Sequence, residues 1–244
     1  MFCITFHRYS PSPIVNFSQS LSNYPYPSGR RVVMGQRGAV ATSQPLATLA
    51  GMQMLWAGGN AVDAAVAMAI ALTVVEPTSN GIGSDAFALV WDGKLQGLNA
   101  SGKSAQSLSL EHFTGRMRIP DRGWLPVTVP GAVSAWKSLW QRWGSLPFEQ
   151  LFEPAIHYAE QGFPVSPETA RAWNRAAQVF LPLTEPEFQP FKAVFFAGGQ
   201  APQAGELWRS PFHAQTLRAI AESHGESFYR GALAQRITDF AAQT

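Results

Sequence analysis

Residues 60–75 constrain this chain more than any other stretch, because thirteen of those sixteen residues are apolar. Nine of them, Ala64 to Leu72, form an unbroken apolar run. A membrane span needs about 20 such residues, so the run reads as a helix buried on nearly every side. Asn60 stands where an N-cap acceptor is needed, and Asp63 sits in the first turn, where a negative charge suits the helix dipole. Pro77 stops the helix, and Gly81-Ile-Gly-Ser-Asp-Ala86 then turns the chain into Phe87-Ala-Leu-Val-Trp-Asp92, an apparent strand. Asp92-Gly93 reads as a hairpin turn, with Leu95 to Ala100 returning.

The flanks extend this pattern. Gly38 to Thr42 is expected to be a short strand, and Ser43 the N-cap of a helix that runs to Trp56 and ends at Gly58-Gly59. Downstream, helices are expected over 130–143, 147–161, 167–180, 211–223 and 232–242. Buried helices, a hairpin and then many helices predict a layered α/β chain with a helix-rich C-terminal half, not a doubly wound sheet. Residues 1–24, broken by serines and prolines, read as a disordered leader without the charged start and apolar core of a secretion signal. Residues 25–244 read as one incomplete domain, and the expected location is cytoplasmic.

Several function classes drop out. The net charge of +2 and the scattered basic residues leave no nucleic-acid footprint, and no membrane association is expected. One cysteine and five dispersed histidines give no metal-ligand spacing, so neither metal nor cofactor is expected. Gly81 to Ala86 fits GxGxxA, but a helix precedes it and a strand follows, the reverse of a dinucleotide-binding turn. Two readings of that turn stand: a helix-to-strand turn where glycine supplies positive φ and close approach, or a loop lining an acyl-transfer site. Trp136, Trp140 and Trp143 share one helix face, read as a packing stripe or as a docking face for a further segment. Glu76 reads as a helix-terminal carboxylate, and the histidines receive no role.

Ordered blocks then carry a family resemblance. They are Gly38-Ala-Val-Ala-Thr-Ser-Gln-Pro-Leu-Ala47, Gly58-Gly-Asn-Ala-Val-Asp-Ala-Ala65, Val75-Glu-Pro-Thr-Ser-Asn-Gly-Ile-Gly83 and Val129-Pro-Gly-Ala-Val133. Leu151-Phe-Glu-Pro-Ala-Ile156, Gly162-Phe-Pro-Val-Ser166, Gly205-Glu-Leu207, Thr216-Leu-Arg-Ala-Ile-Ala221 and Phe228-Tyr-Arg-Gly231 follow. In this order they resemble the large-subunit part of γ-glutamyltranspeptidases, also called glutathione hydrolases. The resemblance implies an N-terminal-nucleophile (Ntn) hydrolase, an αββα sandwich of which this chain forms the large-subunit part. It implies a precursor whose internal threonine, freed by self-cleavage, attacks a γ-glutamyl amide with its own α-amine as base, without cofactor or metal. That threonine is expected beyond the matched blocks, so the chain should lack it and be inactive without a C-terminal, small-subunit half. The alternative is a non-catalytic scaffold or heteromeric partner module.

The resemblance also marks site residues. Relatives place an arginine after the return strand to fork onto the glutamyl α-carboxylate. Here the segment is Leu98-Asn-Ala-Ser-Gly-Lys-Ser-Ala105, with Ser101 at the arginine position and Lys103 two residues on, a departure similar to the acylase-like branch. Lys103 is either a substitute point charge or a solvated turn lysine. Asp85 either faces the pocket or caps backbone amides at the strand entry. The implied substrate is a γ-glutamyl small molecule or a related acyl amide.

Overall fold

The computed structural model describes residues 2–5, 33–36 and 38–244. Its centre is helix α2, Ala61–Val75, in which 13 of 15 residues are buried, as an apolar run without polar face requires. Asn60 caps it: its Oδ1 accepts from the amides of Val62 and Asp63, while Asp63 accepts from the Asn60 amide. Helix α1, Pro45–Trp56, lies against α2 so closely that a Cβ on Gly51 would come within 2.8 Å of the Met68 sulfur. α1 is only half covered, with Leu49 and Trp56 exposed.

On another side of α2 lies a three-stranded sheet in the order β1–β2–β3. Strands β2, Ala86–Trp91, and β3, Leu95–Ala100, pair antiparallel, Ala86 opposite Ala100 and Trp91 opposite Leu95. Strand β1, Phe2–Thr5, pairs parallel to β2, Phe2 opposite Ala88, so these four residues depart from the disorder expected over 1–24. Ala88 and Val90 point into the core, whereas Phe87, Trp91 and Leu95 are exposed on the opposite face.

The rest is helical: α3 (Ala132–Trp143), α4 (Glu153–Gln161), α5 (Pro167–Phe180), α6 (Gln189–Phe195), α7 (Pro211–Glu222), α8 (Glu226–Arg230) and α9 (Ala232–Gln243). A two-residue ribbon, β4 (Phe163–Pro164) with β5 (Leu207–Trp208), closes the α4–α7 region. The tryptophan stripe is a packing stripe. Trp136 meets Phe152 edge-on, Trp140 packs on Phe148, and Trp143 donates to the Asp92 carboxylate.

Three local expectations are corrected. Residues 38–42 form no strand, because Thr42 folds its hydroxyl onto both the amide and the carbonyl of Gln44. The N-cap of α1 is Gln44 rather than Ser43; the Gln44 side chain accepts from Leu46 and Ala47, and Ser43 donates to the Glu76 carboxylate. Gly81 and Gly83 have no positive φ, and nothing would meet a Cβ on Gly83 within 4 Å, so neither conformation nor crowding requires glycine there. His224, which received no role, sits in the left-handed region (φ 46°), stacks on Trp140 and has its Nε2 2.9 Å from Glu149.

Candidate active-site wall

Helix α3 begins without a side-chain cap. Its first amides are satisfied from a distance: Gly131 and Ala132 both donate to the Ser84 carbonyl at 2.9 Å, and Ser134 donates to the Tyr229 hydroxyl at 2.9 Å. This helix end therefore anchors the turn between α2 and β2 on one side and α8 on the other. A cavity lies on each side of it.

The first, about 220 Å3, is lined by Thr73, Ser79, Asn80, Ser84, Asp85 and Trp136 among others. Asp85 is exposed at its rim, and its carboxylate caps no backbone amide among the described residues. Behind this cavity, the Thr73 hydroxyl donates to Ile70 and lies 3.5 Å from His213 Nε2. Burial pushes the His213 imidazole down to about 4, so it is neutral near pH 7.

The second is a groove of about 570 Å3 at the end of β3, lined by Asn99, Ser101, Lys103, Ser134, Ser138 and Tyr229 among others. Its edges are tightly set. Lys103 accepts from the Val129 amide at 2.8 Å, Ser101 accepts from the Thr128 hydroxyl at 3.2 Å, and Ser104 bridges to Thr128. A Cβ on Gly131 would lie 1.8 Å from the Ala100 oxygen, and one on Gly102 (φ 76°) 1.9 Å from the Val129 oxygen. Glycine is obligatory at both places. Ser101 is half-buried and Lys103 is exposed, its ammonium in no ion pair among the described residues.

The three site residues expected from the sequence thus fall in two neighbouring cavities, Asp85 in one and Ser101 with Lys103 in the other. Ser134, Ser138 and Tyr229 escaped that reading, although Tyr229 lies within one of the blocks that carry the resemblance.

Helices packed on one face of a sheet, an open apolar face on the other and a hydroxyl-lined groove at the strand ends define a layered α/β chain, and its close match to γ-glutamyltranspeptidase and acylase structures makes it one of Ntn-hydrolase type. The comparisons agree. The family profile described as Gamma-glutamyltranspeptidase matches residues 47–244, and the chain belongs to that family. Glutathione hydrolase proenzyme 1 of Schizosaccharomyces pombe is 34% identical over 243 residues, covering 95% of this chain and 37% of that protein. The crystal structure of cephalosporin acylase from Bacillus halodurans superposes with a TM-score of 0.84 at 55% identity, covering 89% of this chain and 41% of that one. Helicobacter pylori γ-glutamyltranspeptidase gives 0.78 at 30% identity, covering 84% and 60%. The chain thus spans about two fifths of the yeast protein and of the acylase. Among the described residues no helix is long and apolar enough to cross a membrane.

Proposed function

We propose that these 244 residues form the large-subunit part of a hydrolase or transferase of γ-glutamyl-type amides that works through an acyl-threonine intermediate. In this reading the groove at Ser101 and Lys103 is one wall of the acyl pocket, with Asp85 at its neighbouring rim. The nucleophile belongs to a complementary segment, and the chain is inactive without it. The open sheet face carries this reading. Phe87 and Trp91 are each 46% exposed and Leu95, paired with Trp91, is 65% exposed, forming an apolar strip whose Phe87 end also lines the first cavity. Such a strip is the surface a second layer would bury.

A neutral Ser101 in place of an arginine leaves Lys103 as the cation at this edge of the groove. A lysine attracts a carboxylate as a point charge without the two-pronged geometry of a guanidinium. The pocket therefore suits acyl groups beyond glutamyl, provided they carry an anionic end. Release of γ-glutamyl-p-nitroanilide tests the assignment, using the chain alone and the chain co-expressed with the complementary part of the Bacillus halodurans acylase. Turnover only in the reconstituted pair, lost when the threonine that opens the complementary part is replaced by alanine, is the expected result. Turnover by the chain alone would overturn the division of labour. A stable pair without turnover would favour the scaffold reading.

A further inference from the structure

Tyr229 connects two parts of the chain that sequence keeps far apart. Its hydroxyl donates to the Pro130 carbonyl at 2.8 Å and accepts from the Ser134 amide at 2.9 Å. These partners lie 99 and 95 residues away. The hydroxyl therefore does for α3 what an N-cap side chain ordinarily does, because Gly131 has no side chain to do it. It also holds the carbonyl just ahead of the helix, so both ends of the 130–134 turn are fixed by one atom.

We propose that Tyr229 is a positioning residue for the groove: by capping α3 from α8 it sets the spacing between Ser101–Lys103 and the α3 hydroxyls. The path is short. Val129 donates to the Lys103 carbonyl, Gly131 packs its Cα against the Ala100 carbonyl, and both flank Pro130, whose oxygen Tyr229 holds. Tyr229 is itself held in place, since the start of its own helix is tied to α3 by the 2.7 Å Lys137–Glu226 ion pair and Phe228 is buried. A phenol on a rigid ring fixes direction as well as distance, which a flexible cap would not. Losing it frees the 130–134 turn to fray and lets the Ser101–Lys103 edge drift from Ser134 and Ser138.

The part of this inference that concerns substrate rests on the groove being an acyl-pocket wall; the part that concerns geometry does not. The test uses isotope-labelled chain as wild type, Tyr229→Phe and Ile220→Val, the last a core variant remote from the groove that controls for general destabilisation. Amide exchange and spectra are recorded, followed by titration with reduced glutathione. In Tyr229→Phe the Ser134 amide should exchange about tenfold faster, as expected for loss of one partly buried hydrogen bond. The Ser101, Gly102 and Lys103 resonances should move, and the glutathione affinity should fall by about fivefold or more relative to Ile220→Val. Unchanged exchange at Ser134, or binding equal to that of Ile220→Val, would overturn the proposal. If the wild type shows no response to glutathione even when paired with its complementary segment, the acyl-pocket reading fails separately. The positioning claim is then decided by the probe-free spectra, where unmoved Ser101–Lys103 resonances refute it.

Discussion

Replacing Asp63 by alanine should be among the most damaging single changes in this chain. The residue is fully buried, and its carboxylate accepts from three backbone amides: Asn60 at 2.8 Å, Ser145 at 3.0 Å and Leu146 at 3.3 Å. The first belongs to the start of α2 and the other two to the turn that leaves α3. Asn60 completes the junction, donating through Nδ2 to the Trp143 carbonyl and the Ser145 hydroxyl. A hydrogen bond to a charged group contributes about 1.5–3 kcal/mol, and donors left buried without partners cost more than the bonds were worth. The three are not additive, since all end on one carboxylate, so about 3–5 kcal/mol is expected for Asp63→Ala. Against a typical total of about 5–15 kcal/mol that is a large fraction of the stability. Asp63→Asn should cost about 2–3 kcal/mol, because its amide group turns a donor toward donors on one side. Urea unfolding followed by tryptophan fluorescence reads both, with exchange at the Ser145 amide as the local probe. A loss below about 1 kcal/mol for the alanine variant at unchanged m-value, with Ser145 still protected, would refute the argument.

Further outcomes follow from the same geometry. His213, held near 4 by burial, binds its proton more weakly folded than unfolded, so its part of the stability is whole above pH 6.5 and declines as pH falls toward 4. The decline amounts to about 3 kcal/mol, and stability measured against pH in His213→Phe should lack it. Glu160, bonded by Arg218, and Glu226, bonded by Lys137 and Arg230, sit below the usual carboxylate range and lose their contribution only as pH falls below about 4.5, a separate window. Gly131→Ala should destabilise by about 3 kcal/mol or more, because its Cβ would lie 1.8 Å from the Ala100 oxygen. Gly83→Ala should stay within about 0.5 kcal/mol, and thermal melts of the two variants compare them directly.

Features that depend on neighbours in sequence were legible, and those that depend on distant partners were not. The buried helix α2, its Asn60 cap and the β2–β3 hairpin follow from periodicity, a capping acceptor and an Asp-Gly turn, all within a few residues. Proline starts placed α5 at 167–180, as observed. The cap of α1 failed because Ser43 and Gln44 both offer acceptors, and the Glu76 carboxylate, 33 residues on, takes the Ser43 hydroxyl. Asp63 read as a dipole-stabilising first-turn residue, yet its larger task is to hold a turn 82 residues away. No local pattern announces that.

The same logic explains why the candidate site was only half legible. Ser101 and Lys103 could be placed because the strand that leads to them is local and the resemblance supplies a position to compare. Tyr229, Ser134 and Ser138 enter the groove only through the packing of α8 on α3, which no short window encodes. Gly81 and Gly83 make the contrast from the other side. Their sequence suggests a strained or crowded turn, while the fold gives them negative φ and open space. A glycine needed neither by its own backbone nor by its neighbours is free to respond to what approaches from outside, and Gly83 stands with exposed Ser84 and Asp85 beside the same apolar strip as Phe87. Gly83→Ala should therefore be silent in the melt of this chain and visible in its pairing with a complementary segment. Equal association by wild type and Gly83→Ala would remove that reason for the glycine.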